Sequence, residues 1–176
     1  GRTGRIRIGD TPARSVAGVL EHNVAHCIEA ALVGAAALAL AGQPPLLMDM
    51  GAARGDVDHV VALFRRRGLW GAISKSNSPL LRYRDPIHRS LRELSISFFP
   101  QYVKGRRKTL RTYSVPVDLR KHDPALWVTH DGDCCGEMVE ILTAARHFPI
   151  VPADLESDLR PIDEIEERSS LMSEHE

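Results

Sequence analysis

The stretch "AHCIEAALVGAAALALAG", residues 25–42, predicts a helix that is apolar almost all the way round. Gly42 ends this pattern, and the Pro-Pro pair that follows cannot continue it, so we expect the helix to run from Cys27 to Leu40. A helix with no polar face has to be buried by other elements. This segment is therefore predicted to be the centre of the fold, with a thiol at its first residue.

Three apolar runs of strand length follow the helix: "PLLMDM" (45–50), "HVVALF" (59–64) and "LWGAISKS" (69–76). The "RRRG" segment (65–68) between the last two runs predicts a hairpin turn, because Gly68 can adopt a positive φ. This order of elements indicates an α+β fold, in which the helix led by Cys27 packs on an antiparallel sheet.

Further helices are predicted on both sides of this core. Residues 15–21 favour a short helix, and residues 85–103 favour a longer one that opens at Asp85-Pro86. Residues 136–148 favour a last amphipathic helix that ends before Pro149, and residues 104–114 favour a basic loop or edge strand.

The length of 176 residues suits one domain, and we assign it to residues 1–152. The formal net charge of zero conceals an acidic tail, because residues 153–176 hold nine acids and two bases. The preceding residues hold 21 bases against 14 acids. We expect the tail to be flexible and solvated, the alternative being that it folds back on the basic body.

The three cysteines do not indicate a disulfide framework, and a reducing compartment is the simpler expectation. No charged segment followed by an apolar run and a cleavage site is visible in these 176 residues, and the run 30–40 is too short to cross a bilayer. We therefore expect a cytoplasmic protein without membrane contact. This expectation does not extend upstream of Gly1, where a signal would not be seen.

The start of a helix is a favourable place for a reactive thiol. Unpaired N–H groups and the helix dipole stabilise a thiolate there, so we expect Cys27 to react well below the ordinary thiol pKa of about 8.5. A nucleophilic thiol also needs a base and a group that orients the base. His26 is a poor base because adjacent helical residues do not face each other. His59, at the start of a strand after a loop, is better placed.

The strand paired with that of His59 offers three polar groups as orienting partners: Ser74, Ser76 and Asn77. An amide oxygen from Asn77 is our first choice for holding the imidazole tautomer. Ser74 competes with it, because a different hairpin turn would place Ser74 opposite His59.

The ordered set "HCIEAALVGAAALALAG", "QPPLLMDM", "DHVVALF", turn, "WGAISKSN" resembles the core of transglutaminase-like, papain-fold proteins. It is similar in particular to a group of uncharacterised bacterial proteins that carry an "AHC-E-A" helix, a "PPLL-D" strand and a "DHV" strand. The resemblance covers roughly residues 20–100. It implies that Cys27 is the nucleophile, that His59 is the general base, and that the third position belongs to Asn77 or Ser74, where transglutaminases use an Asp.

Two other segments suggest different functions. "HDGDCCGE" (130–137) contains metal-ligand residue types, but adjacent cysteines do not have the C-x-x-C spacing that suits one tetrahedral ion. The basic strip from Arg82 to Arg111 could contact phosphates or an acidic partner, although a solvated basic loop is the simpler interpretation.

The sequence therefore predicts cysteine-dependent acyl chemistry on an amide substrate: peptidase, deamidase or transglutaminase-type transfer. We expect a protein or peptide substrate, no metal and no cofactor. The alternative is a catalytically inactive binding module of the same fold that uses the basic strip for an acidic partner. Nucleic-acid binding is a weaker third interpretation.

Overall fold

The computed structural model describes residues 14–23, 25–76, 78–129 and 135–172. The helices in this part of the chain are Val16–His22 (α1), Cys27–Leu40 (α2), Leu91–Ile96 (α3), Cys135–Ala144 (α4) and Glu164–Ser170 (α5). The strands are Leu46–Ala52 (β1), His59–Arg66 (β2), Leu69–Ile73 (β3), Arg84–His88 (β4), Val103–Lys104 (β5), Arg107–Lys108 (β6), Leu110–Ser114 (β7), Val117–Asp118 (β8) and His147–Pro149 (β9). Short 3₁₀ or π-helical segments occupy Phe99–Gln101, Leu119–Lys121, Ala125–Thr129 and Ala153–Asp158.

The fold is α+β, and its main sheet is antiparallel throughout the described pairings. The strand order is β4-β3-β2-β1-β7-β9, and β8 extends the pairing of β1. Strands β5 and β6 form a separate small hairpin. The two strands at the centre, β2 and β1, are two of the three that the sequence predicted as apolar runs.

Both faces of the sheet are covered. On one face, α2 packs over alternate residues of β2, including Val60 and Ala62, together with α4. On the other face, Val61 and Leu63 pack against Leu94 and Phe98 from α3 and the turn after it. Because six consecutive residues of β2 are buried, the strand reads in the sequence as a continuous apolar run rather than an alternating one.

The β2–β3 turn fixes the register of the sheet beside α2. Arg66 pairs with Leu69, which leaves Arg67 and Gly68 as a two-residue loop, and both have positive φ (52° and 82°). Positive φ at both central residues is the requirement of a type I′ turn, whose twist matches the flanking strands. The predicted hairpin is confirmed, although two of the arginines assigned to the turn belong to β2.

Residues 85–103 do not form the single helix predicted from the Asp-Pro pair. Asp85 and Pro86 lie in β4, an edge strand where the missing N–H of proline is tolerated. The helix begins five residues later, where the side chain of Ser90 accepts the N–H of Glu93 and Glu93 accepts the N–H of Arg89. This capping pattern outweighs the Asp-Pro signal.

The last predicted helix is also shorter than expected. Helix α4 ends at Ala144, and His147–Pro149 form β9 against β7. Most of the described residues of the acidic tail are exposed, but Ile162 is buried, and Glu156 and Glu167 lie near arginines of the body. Ile162 is 1% exposed. Its backbone N–H donates to the carbonyl oxygen of Arg106, and Nε of Arg106 donates to the carbonyl oxygen of Ile162, both at 2.9 Å.

No single helix within the described ranges is long and apolar enough to cross a membrane. Helices α1 and α2 are long and apolar enough to cross a membrane only when they are taken together, and the chain bends by 109° between them.

The close approach of β3 to its neighbours gives a test of this packing. A Cβ atom at Gly71 would overlap the ring of Phe64 and lie 2.8 Å from the carbonyl oxygen of Arg84, a backbone atom that cannot move aside. We expect Gly71→Ala to lower the free energy of unfolding by roughly 1–3 kcal/mol, measured by urea denaturation.

Gly136→Ala is the matched control. It lies in α4 with no heavy atom within 4 Å of the added Cβ, so the higher helix propensity of Ala should leave stability unchanged or raise it by up to about 1 kcal/mol. Equal effects of the two substitutions would contradict the described packing of β3.

Candidate active site

Cys27 is the first residue of α2, and the start of this helix is held in place by a buried carboxylate. Glu29 is fully buried and accepts the backbone N–H of His26 and that of Arg14. His26 is the N-cap residue in extended conformation. These bonds satisfy donors that precede the first turn, and they fix the position from which the Cys27 side chain leaves the helix.

Cys27 is partly exposed as a residue, but its thiol is turned inward and faces the start of β2. Burial raises the pKa of Cys27 above its ordinary value, and this effect exceeds the stabilisation of the thiolate by the backbone N–H groups of Val60 and Ile28. The charge of Asp49 raises the pKa further. The predicted lowering of the thiol pKa by the helix start is therefore wrong in direction, because removal from water outweighs the local N–H groups.

His59 is the first residue of β2, and its side chain is 4% exposed. Its Nε2 lies 2.7 Å from Oγ of Ser74, and Ser74 Oγ lies 2.9 Å from the carbonyl oxygen of Leu81. A carbonyl oxygen can only accept, so the single hydroxyl proton of Ser74 is donated to Leu81. Ser74 must then accept from His59, which places the imidazole proton on Nε2 and leaves Nδ1 as the basic nitrogen.

The imidazole is neutral over most of the pH range. Burial, with a smaller contribution from the charge of Arg84, lowers the pKa of His59 to about 4. No carboxylate is hydrogen-bonded to the His59 ring in the described part of the chain, and its described partner is a neutral hydroxyl. The resting site thus contains a neutral thiol and a neutral imidazole.

Cys27 and His59 line one pocket of about 900 Å³ at the end of the sheet where β2 begins. Val60 faces α2 and Val61 faces the opposite side of the sheet, so His59 reaches the pocket from the face away from α2. Cys27 reaches it from the α2 side. The remaining lining residues are Val19, Asn23, Ala25, His26, Asp56, Val57, Asp58, Lys75, Ser76, Leu81, Tyr102 and Val103.

Ser74, the competing choice for the third position, is the residue that contacts His59. It follows β3, and extension of the β2–β3 register past the Ala62–Ile73 pair places it diagonally opposite His59 on the same face. Asn77, our first choice, lies outside the described residues. Its predicted role therefore stays a prediction.

One wall of the pocket comes from residues that the sequence did not indicate. The loop 53–58 carries Asp56, Val57 and Asp58, and it is held by hydrogen bonds from distant side chains. The Tyr102 hydroxyl donates to the carbonyl of Val57, and the Thr109 hydroxyl donates to the carboxylate of Asp56. Tyr102 and Thr109 are 45 and 53 positions away from the loop residues that they contact, so no local sequence pattern could have predicted these bonds.

Two other segments carried functional predictions: the possible metal motif (130–137) and the basic strip from Arg82 to Arg111. His130, Asp131, Asp133 and Cys134 of the proposed metal motif lie outside the described residues. Among the described residues, no cluster of three or more His, Cys, Asp or Glu side chains is suited to hold a metal ion. Part of the basic strip contacts the chain's own tail: Arg111 lies 3.0 Å from Glu156, and Arg106 lies 3.9 Å from Glu167.

No family model matches the chain, and no curated protein matches it in sequence. The resemblance to the transglutaminase-like core therefore stays a prediction from the motifs.

The low pKa of His59 predicts a pH-dependent stability. Between pH 6.5 and about 4, the unfolded chain protonates His59 and the folded chain does not, so the free energy of unfolding falls as the pH is lowered through this window. We expect this single group to contribute a loss of roughly 3 kcal/mol. Urea denaturation at several pH values should show a shallower pH dependence for His59→Gln than for the wild type.

The substitution His22→Gln is the control, because His22 is exposed on α1. It should retain the pH dependence of the wild type. The same pH dependence in His59→Gln and in the wild type would show that His59 is not buried as a neutral base.

Proposed function

We propose that this chain is a cysteine-dependent acyl-transfer or hydrolytic enzyme with a transglutaminase-like core, in which Cys27 is the nucleophile. The observation that carries the proposal is the pairing of two features in one pocket. A thiol stands at the first residue of the central helix, and an imidazole with a fixed Nε2–H tautomer starts the adjacent strand. Helix, strand and returning strand follow one another in the order that the resemblance implies.

The chemistry begins with a proton transfer. Across the pocket that both residues line, Nδ1 of His59 accepts the proton of the Cys27 thiol, directly or through one water molecule, as the sulfur attacks the carbonyl carbon of an amide or ester. The tetrahedral intermediate collapses when the imidazolium returns the proton to the leaving amine or alcohol. A thioester remains on Cys27, and water or an amine releases the acyl group while His59 again acts as the base.

The environment favours proton transfer during the attack rather than before it. A raised pKa for the thiol and a pKa of about 4 for the imidazole make a preformed thiolate–imidazolium pair unfavourable in the free protein. The backbone N–H groups of Val60 and Ile28 favour the thiolate form of Cys27. They are therefore suited to stabilise the negative charge that develops at the sulfur as its proton leaves. His59 accordingly acts as a general base.

Ser74 is a positioning residue in this mechanism. It holds the ring through Nε2 and keeps the lone pair on Nδ1. A neutral hydroxyl orients the imidazole but stabilises the imidazolium less than a carboxylate does. We therefore expect slower chemistry than that of a site with an Asp at this position.

The alternative of a binding module for an acidic partner is less well supported. Arg106 and Arg111, two of the cations in the basic strip, already contact Glu167 and Glu156 of the tail. An acidic partner would have to compete with these internal ion pairs.

Acylation by p-nitrophenyl acetate, followed by peptide mass mapping, tests the proposal. We expect the acetyl group on Cys27, and we expect His59→Gln to lower the rate of acylation by roughly 10²–10⁴-fold, the usual contribution of a general base. Ser74→Ala should also lower the rate, because the tautomer is no longer fixed. Mapping separates Cys27 from Cys134 and Cys135.

Ser76→Ala is the matched control, since Ser76 lines the same pocket and its hydroxyl accepts a bond from the Ser78 N–H rather than contacting His59. It should react at the wild-type rate. Acetylation of Cys27 at the same rate with and without the His59 imidazole would refute the proposed dyad.

A further inference from the structure

A second pair of titratable groups, the buried Asp49 and the partly buried His147, lies on the sheet and has no part in the mechanism above. Asp49 is in the middle of β1, and its side chain is 2% exposed. Its Oδ2 lies 2.9 Å from Nε2 of His147 on β9. Its Oδ1 is buried and has no hydrogen-bond partner among the described residues. A buried carboxylate oxygen without a partner is rare enough to require an explanation.

The position of Asp49 relates it to Cys27. Leu47, two residues earlier in β1, packs under α2, whereas Met48 and Met50 face the other side of the sheet. Asp49 therefore faces α2 as well. In the β1–β2 register it is opposite Val60, whose backbone N–H faces the Cys27 thiol. The carboxylate thus lies beneath the first turn of α2.

His147 is placed to balance the charge of Asp49. Its Nδ1 lies 2.7 Å from the carbonyl oxygen of Ala145, and its Nε2 faces the carboxylate. Both positions are acceptors, so an ionised Asp49 requires the imidazole to carry both protons. The hydroxyl of Ser114, the cross-strand partner of His147, accepts the backbone N–H of Asp49 and holds the carboxylate-bearing strand in place.

Other ionisable groups face this pair from α2 and from the pocket. From α2 they are Cys27 and Glu29, and Glu29 is already paired with Arg14. From the far side of the pocket, Tyr102 has its pKa raised well above the ordinary value, mainly by burial and in smaller part by the charges of Asp56, Cys27, Asp58 and Asp49. The strand order places His147 on β9, on the other side of β1 from β2, so the carboxylate of Asp49 lies between His147 and the strand that faces Cys27.

We propose that the Asp49–His147 pair controls the reactivity of Cys27: the carboxylate keeps the nucleophile in its neutral thiol form until a substrate is bound. This assignment deepens the proposed function and rests on it for its biological meaning. Its physical content concerns the thiol alone. The consequence is a resting site that resists alkylation and oxidation, since the thiolate is the form that reacts with both classes of reagent.

The test is the rate of Cys27 alkylation by iodoacetamide as a function of pH, followed by peptide mass mapping. In Asp49→Asn the fixed charge is removed and the amide can still meet His147. We expect the midpoint of the pH profile to move down by about one pH unit, and alkylation near neutral pH to become about tenfold faster. If circular dichroism shows that Asp49→Asn does not fold, Asp49→Ser replaces it, and the same shift of the midpoint is expected.

Asp85→Asn is the matched control, because it removes the same charge from an exposed position on β4. It should keep the wild-type midpoint. An unchanged midpoint in a folded Asp49 variant overturns the inference. If p-nitrophenyl acetate acetylates Cys27 in the wild type but the alkylation midpoint of the Asp49 variant is unchanged, only this inference is refuted. If the midpoint shifts but Cys27 is not acetylated, only the proposed function is refuted.

Discussion

The hydrogen bond between His59 and Ser74 is the constraint on which the site depends. Ser74 has one proton and donates it to the carbonyl of Leu81, so the direction of the bond from the imidazole is determined. The tautomer follows from that direction, and the tautomer determines which ring nitrogen can act as a base. The β2–β3 register in turn places Ser74 on the face of His59, and a slip of one residue would move it to the other face.

Burial decides the electrostatics of the site. The start of α2 supplies N–H groups that favour a thiolate, but withdrawal of Cys27 from water has the larger effect, and Asp49 acts in the same direction. The same withdrawal keeps the imidazole of His59 neutral. Two neutral groups that line one pocket are cheaper in free energy than two charged groups whose desolvation exceeds what the nearby N–H groups offset. The site is consistent with a thiol that is activated only as it reacts.

The elements next to the site were predictable because their signals are local. Helix α2 has the predicted bounds, since Gly42 and the Pro-Pro pair end it, and β2 was recognisable as an apolar run. The Asp85-Pro86 pair misled because the same dipeptide suits an edge strand. The third position could not be decided between Ser74 and Asn77, since the choice depends on a hairpin register that differs by a few residues.

The rest of the site depends on contacts that no local pattern encodes. Asp49 meets His147 across 98 positions of the chain, and Tyr102 holds the loop before His59 across 45. The direction in which the pKa of Cys27 shifts depends on how completely the fold removes the thiol from water. Composition predicts a solvated tail, and most of its described residues are exposed. The burial of Ile162 could not be foreseen, because a single apolar residue near acidic neighbours carries little weight in a compositional argument.

The protonation state of the His59 ring nitrogens, observed by long-range ¹H–¹⁵N correlation NMR at neutral pH, tests the central claim most directly. The account predicts a neutral ring with the proton on Nε2 and a free lone pair on Nδ1. A proton on Nδ1, or an imidazolium at neutral pH, would contradict it, because Nδ1 could then not accept a proton.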